Sequence, residues 1–167
     1  MNLVAFEGRS PVLHPTVFVA AGVHLIGNVR VGPEASLWFN SVLRGDINDI
    51  TIGGRTNVQD ACVLHVTHEH AVIVGNDVTI GHRALVHGCT IEDGCLIGMG
   101  AIVLDGARIG EQSLIAAGAV VLQNAVVPPG SLVAGVPGRV IRTLTDDEKA
   151  ALRQSAVNYA DYARRYR

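Results

Sequence analysis

The stretch that decides the fold runs from Ala71 to Gly106. Written in sixes it reads Ala71-Val-Ile-Val-Gly-Asn76, Asp77-Val-Thr-Ile-Gly-His82, Arg83-Ala-Leu-Val-His-Gly88, Cys89-Thr-Ile-Glu-Asp-Gly94, Cys95-Leu-Ile-Gly-Met-Gly100 and Ala101-Ile-Val-Leu-Asp-Gly106. Outward from there the same period holds from Val17 to Arg142, once two three-residue interruptions, Ile47–Asp49 and His68–His70, are set aside. The third position is Val, Leu or Ile in every hexad but two, where Thr79 and Arg139 stand. The first is mostly small, as at Ala35, Ser41, Cys62, Ala71, Cys89, Cys95, Ala101 and Ala107, and Gly, Asn or Asp crowds the last two.

A period of six is three strand periods, so short strands turn at regular corners. Three hexads close one coil of roughly 18 residues, and successive coils lie ~4.8 Å apart. The aliphatic third positions stack inside as ladders, the small first positions fill a narrow triangular interior, and corner Gly and Asn accept backbone angles that other residues resist. The reading is an all-β chain wound as a parallel β-helix; a sandwich of short strands would show irregular spacing.

Composition agrees. At 167 residues the chain is expected to be one domain, and 49% hydrophobic with only 4% aromatic residues suits an interior with no room for rings. The net charge of −2, without a Lys/Arg block, lacks the footprint of nucleic-acid binding. No apolar run approaches membrane-spanning length and no signal-peptide layout opens the chain, so the expectation is no membrane partner and a cytoplasmic protein. Cys62, Cys89 and Cys95 fall at inward first positions, match no zinc spacing, and read as small buried apolar residues.

Along the chain, residues 1–16 form a lead-in, expected as one strand covering the first coil, and coils fill 17–142. The β-helix thus spans 1–142. Residues 143–167 supply a C-terminal α-helix packed on it within the same domain. Thr145-Asp-Asp-Glu148 is a capping box, and Leu152, Ala156, Tyr159, Ala163 and Tyr166 mark one helix face.

Three of the seven histidines stand out. Counted through the two interruptions, Arg44 stacks directly on His65, while His65 falls beneath position 86, one residue from His87. Arg44, His65 and His87 therefore form an outward column on one face. His82 lies around the corner, level with Gln59-Asp60-Ala61, and meets the other two only if a second chain packs against the first. A three-sided prism closes such contacts as a cyclic trimer. Three neutral imidazoles with an open position are the pattern of a catalytic metal. Singly each is an ordinary surface histidine; with Arg44, Asp46, Gln59 and Asp60 at the same level, the cluster reads as a site. His14, His24, His68 and His70 read as surface residues.

Ser41-Val-Leu-Arg-Gly-Asp46, Asn57-Val-Gln-Asp60, Val63-Leu-His65 and Gly81-His82-Arg-Ala-Leu-Val-His87-Gly resemble the γ-class carbonic anhydrase family, over essentially the whole chain. The resemblance implies a left-handed coil and a homotrimer hydrating carbon dioxide reversibly to bicarbonate. It also implies Zn2+, or Fe2+ or Co2+, held by His65 and His87 of one subunit and His82 of its neighbour. Such a metal lowers the pKa of its water from ~15.7 towards ~7. By the same resemblance Arg44 pairs across the interface, with Asp60 as acceptor and Asp46 nearby, and Gln59 hydrogen-bonds the activated water. A trimer-assembly role alone for Arg44, Asp46 and Asp60 stays open.

The chain departs from the family at Ile47, where a glutamate is usual. It also lacks the long acidic loop with its proton-shuttle glutamate, leaving Glu69, His68 and His70 as substitutes. Two other readings compete: a hexapeptide acyltransferase using CoA, with one histidine as base, and a metal-binding homologue of weak or no activity. The Ala134-Gly-Val-Pro137 turn is shared by both enzyme groups and decides nothing.

Overall fold

The structure is a computed structural model that describes residues 2–166. It is a left-handed parallel β-helix of about seven turns with one C-terminal helix. Strands of two to four residues alternate with tight corners, as a six-residue period requires. Apart from the five-residue Arg139–Thr143, two strands are longer, His24–Val31 and Val42–Ile52, because they continue around a corner and join two faces into one 12-stranded sheet. The third face is an 8-stranded sheet. Two short strands, Asn2–Val4 and Val12–Leu13, open the chain where one was expected; both pair in parallel with His24–Val31 and cover the first coil's edge.

The interior is a stack of ladders. Leu25, Leu43, Leu64, Val86, Val103 and Val121 are consecutive rungs of one, all but closed to solvent. Burying each such side chain contributes about 1.5–3 kcal/mol. The three cysteines are free and buried as read. Cys62 and Cys95 donate their thiols to carbonyls of Gly81 and Gly110, 3.1 and 3.2 Å away. Burial pushes all three thiols up to about 12.

The register departs from the expected one between residues 71 and 88. The second interruption displaces four residues rather than three, so Leu64 pairs with Val86 and His65 with His87, 22 residues on. Val72, Val74, Val78, Ile80, Ala84 and Val86 point inward in this segment. Ile73, read as interior, is 50% exposed, and Leu85 faces outward half-buried. Thr79 is no exception to the aliphatic rule: it faces out beneath the C-terminal helix and exchanges a hydrogen bond with Ser155 at 3.1 Å. The extra residue is recovered on a five-residue side, Ala84–Gly88, after which the register read from the sequence resumes at Cys89. Gly88 permits this corner: its φ is +48°, and a Cβ there would meet Asp105 Oδ1 at 2.6 Å.

The first interruption is a bulge. Register shifts by three residues opposite Asn28, and the extra loop is pinned by Asn48 Nδ2 donating to Thr67 O at 2.9 Å and by Asn28 donating to Asp49. The coils end earlier than residue 142. Ser131–Ala134 folds back antiparallel on Arg139–Thr143, so Arg139 is an exposed hairpin residue and not an interior rung.

The helix Asp146–Arg165 starts at the expected capping box, with Glu148 N–H on Thr145 Oγ1 and Thr145 N–H on Glu148 Oε2. It lies on the third face through Leu152, Ala156, Ala160 and Ala163. Tyr159 is half-buried edge-on against Trp38, 5.4 Å between ring centroids. Tyr166 packs its ring on Trp38 at the same distance yet stays 61% exposed, so that end of the expected face is a rim.

Candidate metal centre

Ladder register places the site. Arg44, His65 and His87 are cross-strand partners in sequence, and an inward neighbour (Leu43, Leu64, Val86) forces each outward. Because the true coil length is one residue more than the hexads suggest, His87 lies opposite His65, not diagonal to it. Their rings are 5.0 Å apart at the centroids, and His65 Nδ1 approaches His87 Nε2 to 3.0 Å.

Each ring is held from behind by a carboxylate. His65 Nε2 lies 3.1 Å from Asp46 Oδ1, and His87 Nδ1 lies 2.5 Å from Asp105 Oδ1. An ionised carboxylate only accepts, so in each neutral ring the nitrogen facing it carries the proton. The two nitrogens that face each other are then both bare lone pairs. They cannot hydrogen-bond to one another, and together they make a small cradle for a cation. Their separation is close to the ~3.3 Å edge of a tetrahedron built on ~2.0–2.1 Å metal–nitrogen bonds. Burial lowers the His65 pKa against the opposing pull of Asp46, which favours the neutral ring.

Asp46 is aimed by the bulge. Burial works to raise its pKa, but hydrogen bonds from Arg44 and His65 outweigh that and hold the carboxyl below its ordinary range. Arg44 Nη1 donates to it at 2.5 Å, and the half-exposed guanidinium stands at the surface. Within one chain the partner of Arg44 is thus Asp46, while Asp60 is 2.8 Å from His82 Nδ1. Ile47 is 38% exposed and gives only its backbone N–H to Asp46.

His82 sits at the next corner. Its N–H donates to Gln59 Oε1 at 3.2 Å, and its ring is turned outward by Asp60. Gln59 is almost fully buried. Its Nε2 donates to Asn57 Oδ1 at 3.0 Å, and Asn57 Nδ2 donates to Thr79 Oγ1 at 2.9 Å, a buried polar chain that ends at Ser155 on the helix. A cavity of about 420 Å³ opens beside His82, walled by Trp38, Phe39, Tyr159, Tyr162 and Tyr166. Among the described residues, no three His, Cys, Asp or Glu of one chain group closely enough to hold a metal; a single chain brings two of the three histidines together.

His68 and Glu69 are exposed on the loop, and with Thr67, His70 and Asp105 they line a second cleft of about 410 Å³. Asp105 is the site residue that sequence reasoning missed. Its signal was present: it stands 18 residues after His87, one regular coil on.

Comparison with known proteins gives the family. Residues 88–123 match the family described as bacterial transferase hexapeptide (six repeats), and residues 71–104 the hexapeptide repeat of succinyl-transferase. The chain is 43% identical over 162 residues to the carbonic anhydrase of Geobacillus kaustophilus, covering 97% of this chain and 89% of that one. It belongs to the γ-class carbonic anhydrase family. It is also 43% identical over 161 residues to γ carbonic anhydrase 1, mitochondrial, of Arabidopsis thaliana, but covers 58% of that longer protein and 93% of itself. A solved structure of a hexapeptide transferase family protein from Anaplasma phagocytophilum superposes with a TM-score of 0.96 at 39% identity, over 99% of this chain and 98% of that one. The γ-class fold therefore also occurs under a transferase name. Among the described residues no helix is long and apolar enough to cross a membrane.

Proposed function

We propose that this chain is a metal-dependent carbonic anhydrase-like lyase that hydrates carbon dioxide reversibly at the interfaces of a homotrimer. The observation that carries the reading is the pair of imidazole nitrogens, His65 Nδ1 and His87 Nε2, facing each other at 3.0 Å with a carboxylate behind each ring. His82, turned outward one corner away, is the third ligand, given by each chain to its neighbour. An N3 donor set with room for water suits Zn2+, and also Fe2+ or Co2+. Bound there, the metal would supply Lewis-acid activation of water for addition to carbon dioxide.

The chain's own residues do the rest. Arg44 and Asp46 sit at the rim of the His65–His87 pair, where a fork-shaped guanidinium would set register against the neighbouring subunit with Asp60 of that subunit as its acceptor. Gln59 is locked by Asn57, so its amide offers a fixed dipole beside His82 for orienting water. The proton released by hydration leaves through the exposed loop at His68, Glu69 and His70, since Ile47 has no proton to exchange.

The test is metal analysis of protein purified without air, with carbon dioxide hydration assayed on the same sample. One divalent metal per chain with matching hydration activity is expected. A metal-free, inactive trimer sinks the reading. The aromatic cavity beside His82 and the transferase-named neighbour keep a CoA-dependent acyl transfer as the alternative; CoA protecting a metal-free protein from thermal unfolding would favour it.

A further inference from the structure

We infer that Asp105 is the positioning residue that makes His87 a metal ligand. The inference rests on the metal-site reading above. His65 and His82 take their carboxylates, Asp46 and Asp60, from the previous coil, and both aspartates lie beside motif residues. His87 takes its carboxylate from the following coil, where nothing else belongs to the site. With Asp105 the pattern is complete: three histidines, each with a separate aspartate on the nitrogen turned away from the metal position.

Three features make the contact a built one. Asp105 Oδ1 reaches His87 Nδ1 at 2.5 Å, the shortest of the three histidine–carboxylate contacts. It gets there by crossing Gly88, where any Cβ would collide with that oxygen. Its other oxygen accepts a second, longer contact from Gln123 Nε2 at 3.4 Å. The ring proton is thereby kept on Nδ1, and Nε2 faces His65 bare. Without Asp105 the ring can carry its proton on Nε2, which puts an N–H where the metal should bind and lets that N–H bond to His65 Nδ1 instead. The carboxylate also adds negative charge behind a ligand of a dication. Partners of this kind contribute roughly 10–100-fold to metal affinity.

The experiment has two readouts, one of them free of metal. In the metal-free trimer, 15N-resolved NMR of the histidine rings should show His87 protonated on Nδ1 in the wild type and in Asp105→Asn, whose amide oxygen still accepts. In Asp105→Ala it should show a mixture of ring forms. Zinc affinity, from competition with a chromophoric chelator, should fall about 10–100-fold in Asp105→Ala and less in Asp105→Asn, with trimer mass and the melting temperature of the metal-free protein unchanged. Wild-type zinc affinity and an unaltered His87 ring in Asp105→Ala overturn the inference. So does a loss of affinity that only tracks a loss of folded trimer. If Asp105→Ala does not fold, Asp105→Asn decides: weaker zinc binding at unchanged melting temperature supports the role, wild-type affinity refutes it. A wild-type protein that takes up no zinc overturns the metal reading and this inference with it. Zinc-binding wild type with indifferent variants overturns this inference alone.

Discussion

The coils before Gly88 and those after it are built on the same inward ladders, yet they differ in regularity and in chemistry. From Cys89 to the terminal hairpin, parallel partners lie one even coil apart, as Thr90 with Arg108 and Leu96 with Leu114. Before it the spacing changes from coil to coil: Leu43 pairs with Leu64, Leu64 with Val86, and Val86 with Val103 after a shortened side. All seven motif residues, Arg44, Asp46, Gln59, Asp60, His65, His82 and His87, lie in the uneven half. The repeat makes a stiff rod, and its departures aim side chains. The bulge after Asp46 turns that carboxylate onto His65, and the longer coil followed by a five-residue side brings His87 level with His65. Asp105 alone reaches across from the even half.

The largest difference between the halves should appear on removing a ligand. His65→Ala is expected to lose its metal and to drop carbon dioxide hydration by more than about 100-fold, beyond what a supporting residue contributes. Arg108→Ala, on the exposed surface of the even half, should keep both. Metal content and a stopped-flow indicator assay on the two variants check this. Equal losses would erase the contrast.

Stability should not divide the same way. Leu64 and Ile109 are both fully buried rungs, so Leu64→Ala and Ile109→Ala should each cost about 2–5 kcal/mol in denaturant unfolding. Only Leu64→Ala, directly behind His65 on the strand, should also weaken metal binding. If Ile109→Ala does so to the same degree, the site depends on the rod as a whole and not on its irregular half.

The smallest expected effect is alkaline, and the halves share it. Burial raises the thiols of Cys62, Cys89 and Cys95 from 9.0 to about 12, so above pH 9.0 only the unfolded chain releases these protons. Their contribution is intact below that pH and is lost progressively as pH rises to about 12. Thiol reagents should leave the folded protein unmodified at pH 8. Cys62→Ala should flatten part of the decline between those limits when unfolding free energy is followed against pH.

The register of the even half up to the terminal hairpin was legible in the sequence, because a hexad with Ala or Cys first and Ile or Val third admits one pairing; the hairpin at Arg139–Thr143 was not. The capping box was equally plain, since it depends on four adjacent residues. The uneven half was legible in content but not in register. Ala71-Val-Ile-Val-Gly-Asn offers an aliphatic residue at three successive positions, so periodicity cannot say whether Val72 and Val74 or Ile73 face inward. The loop's four-residue length, and the shortened side that cancels it, emerge only from packing. That one-residue slip hid the direct His65–His87 contact and made Thr79 look like a polar rung. Asp105 was hidden for a different reason: one regular coil of chain separates it from the histidine it serves, and its hexad looks like any other.

The central claim is that two chains share each site, and mixing tests it most directly. His65→Ala and His82→Ala chains, each metal-free alone, are reassembled together into trimers and their zinc content is measured. Around a closed three-fold ring every mixed trimer has one interface with both defects, one with a single defect and one with none. Random reassembly of equal amounts should therefore restore about a quarter of the wild-type metal, by the symmetry of the ring alone. No recovery from properly reassembled mixed trimers would contradict the shared site.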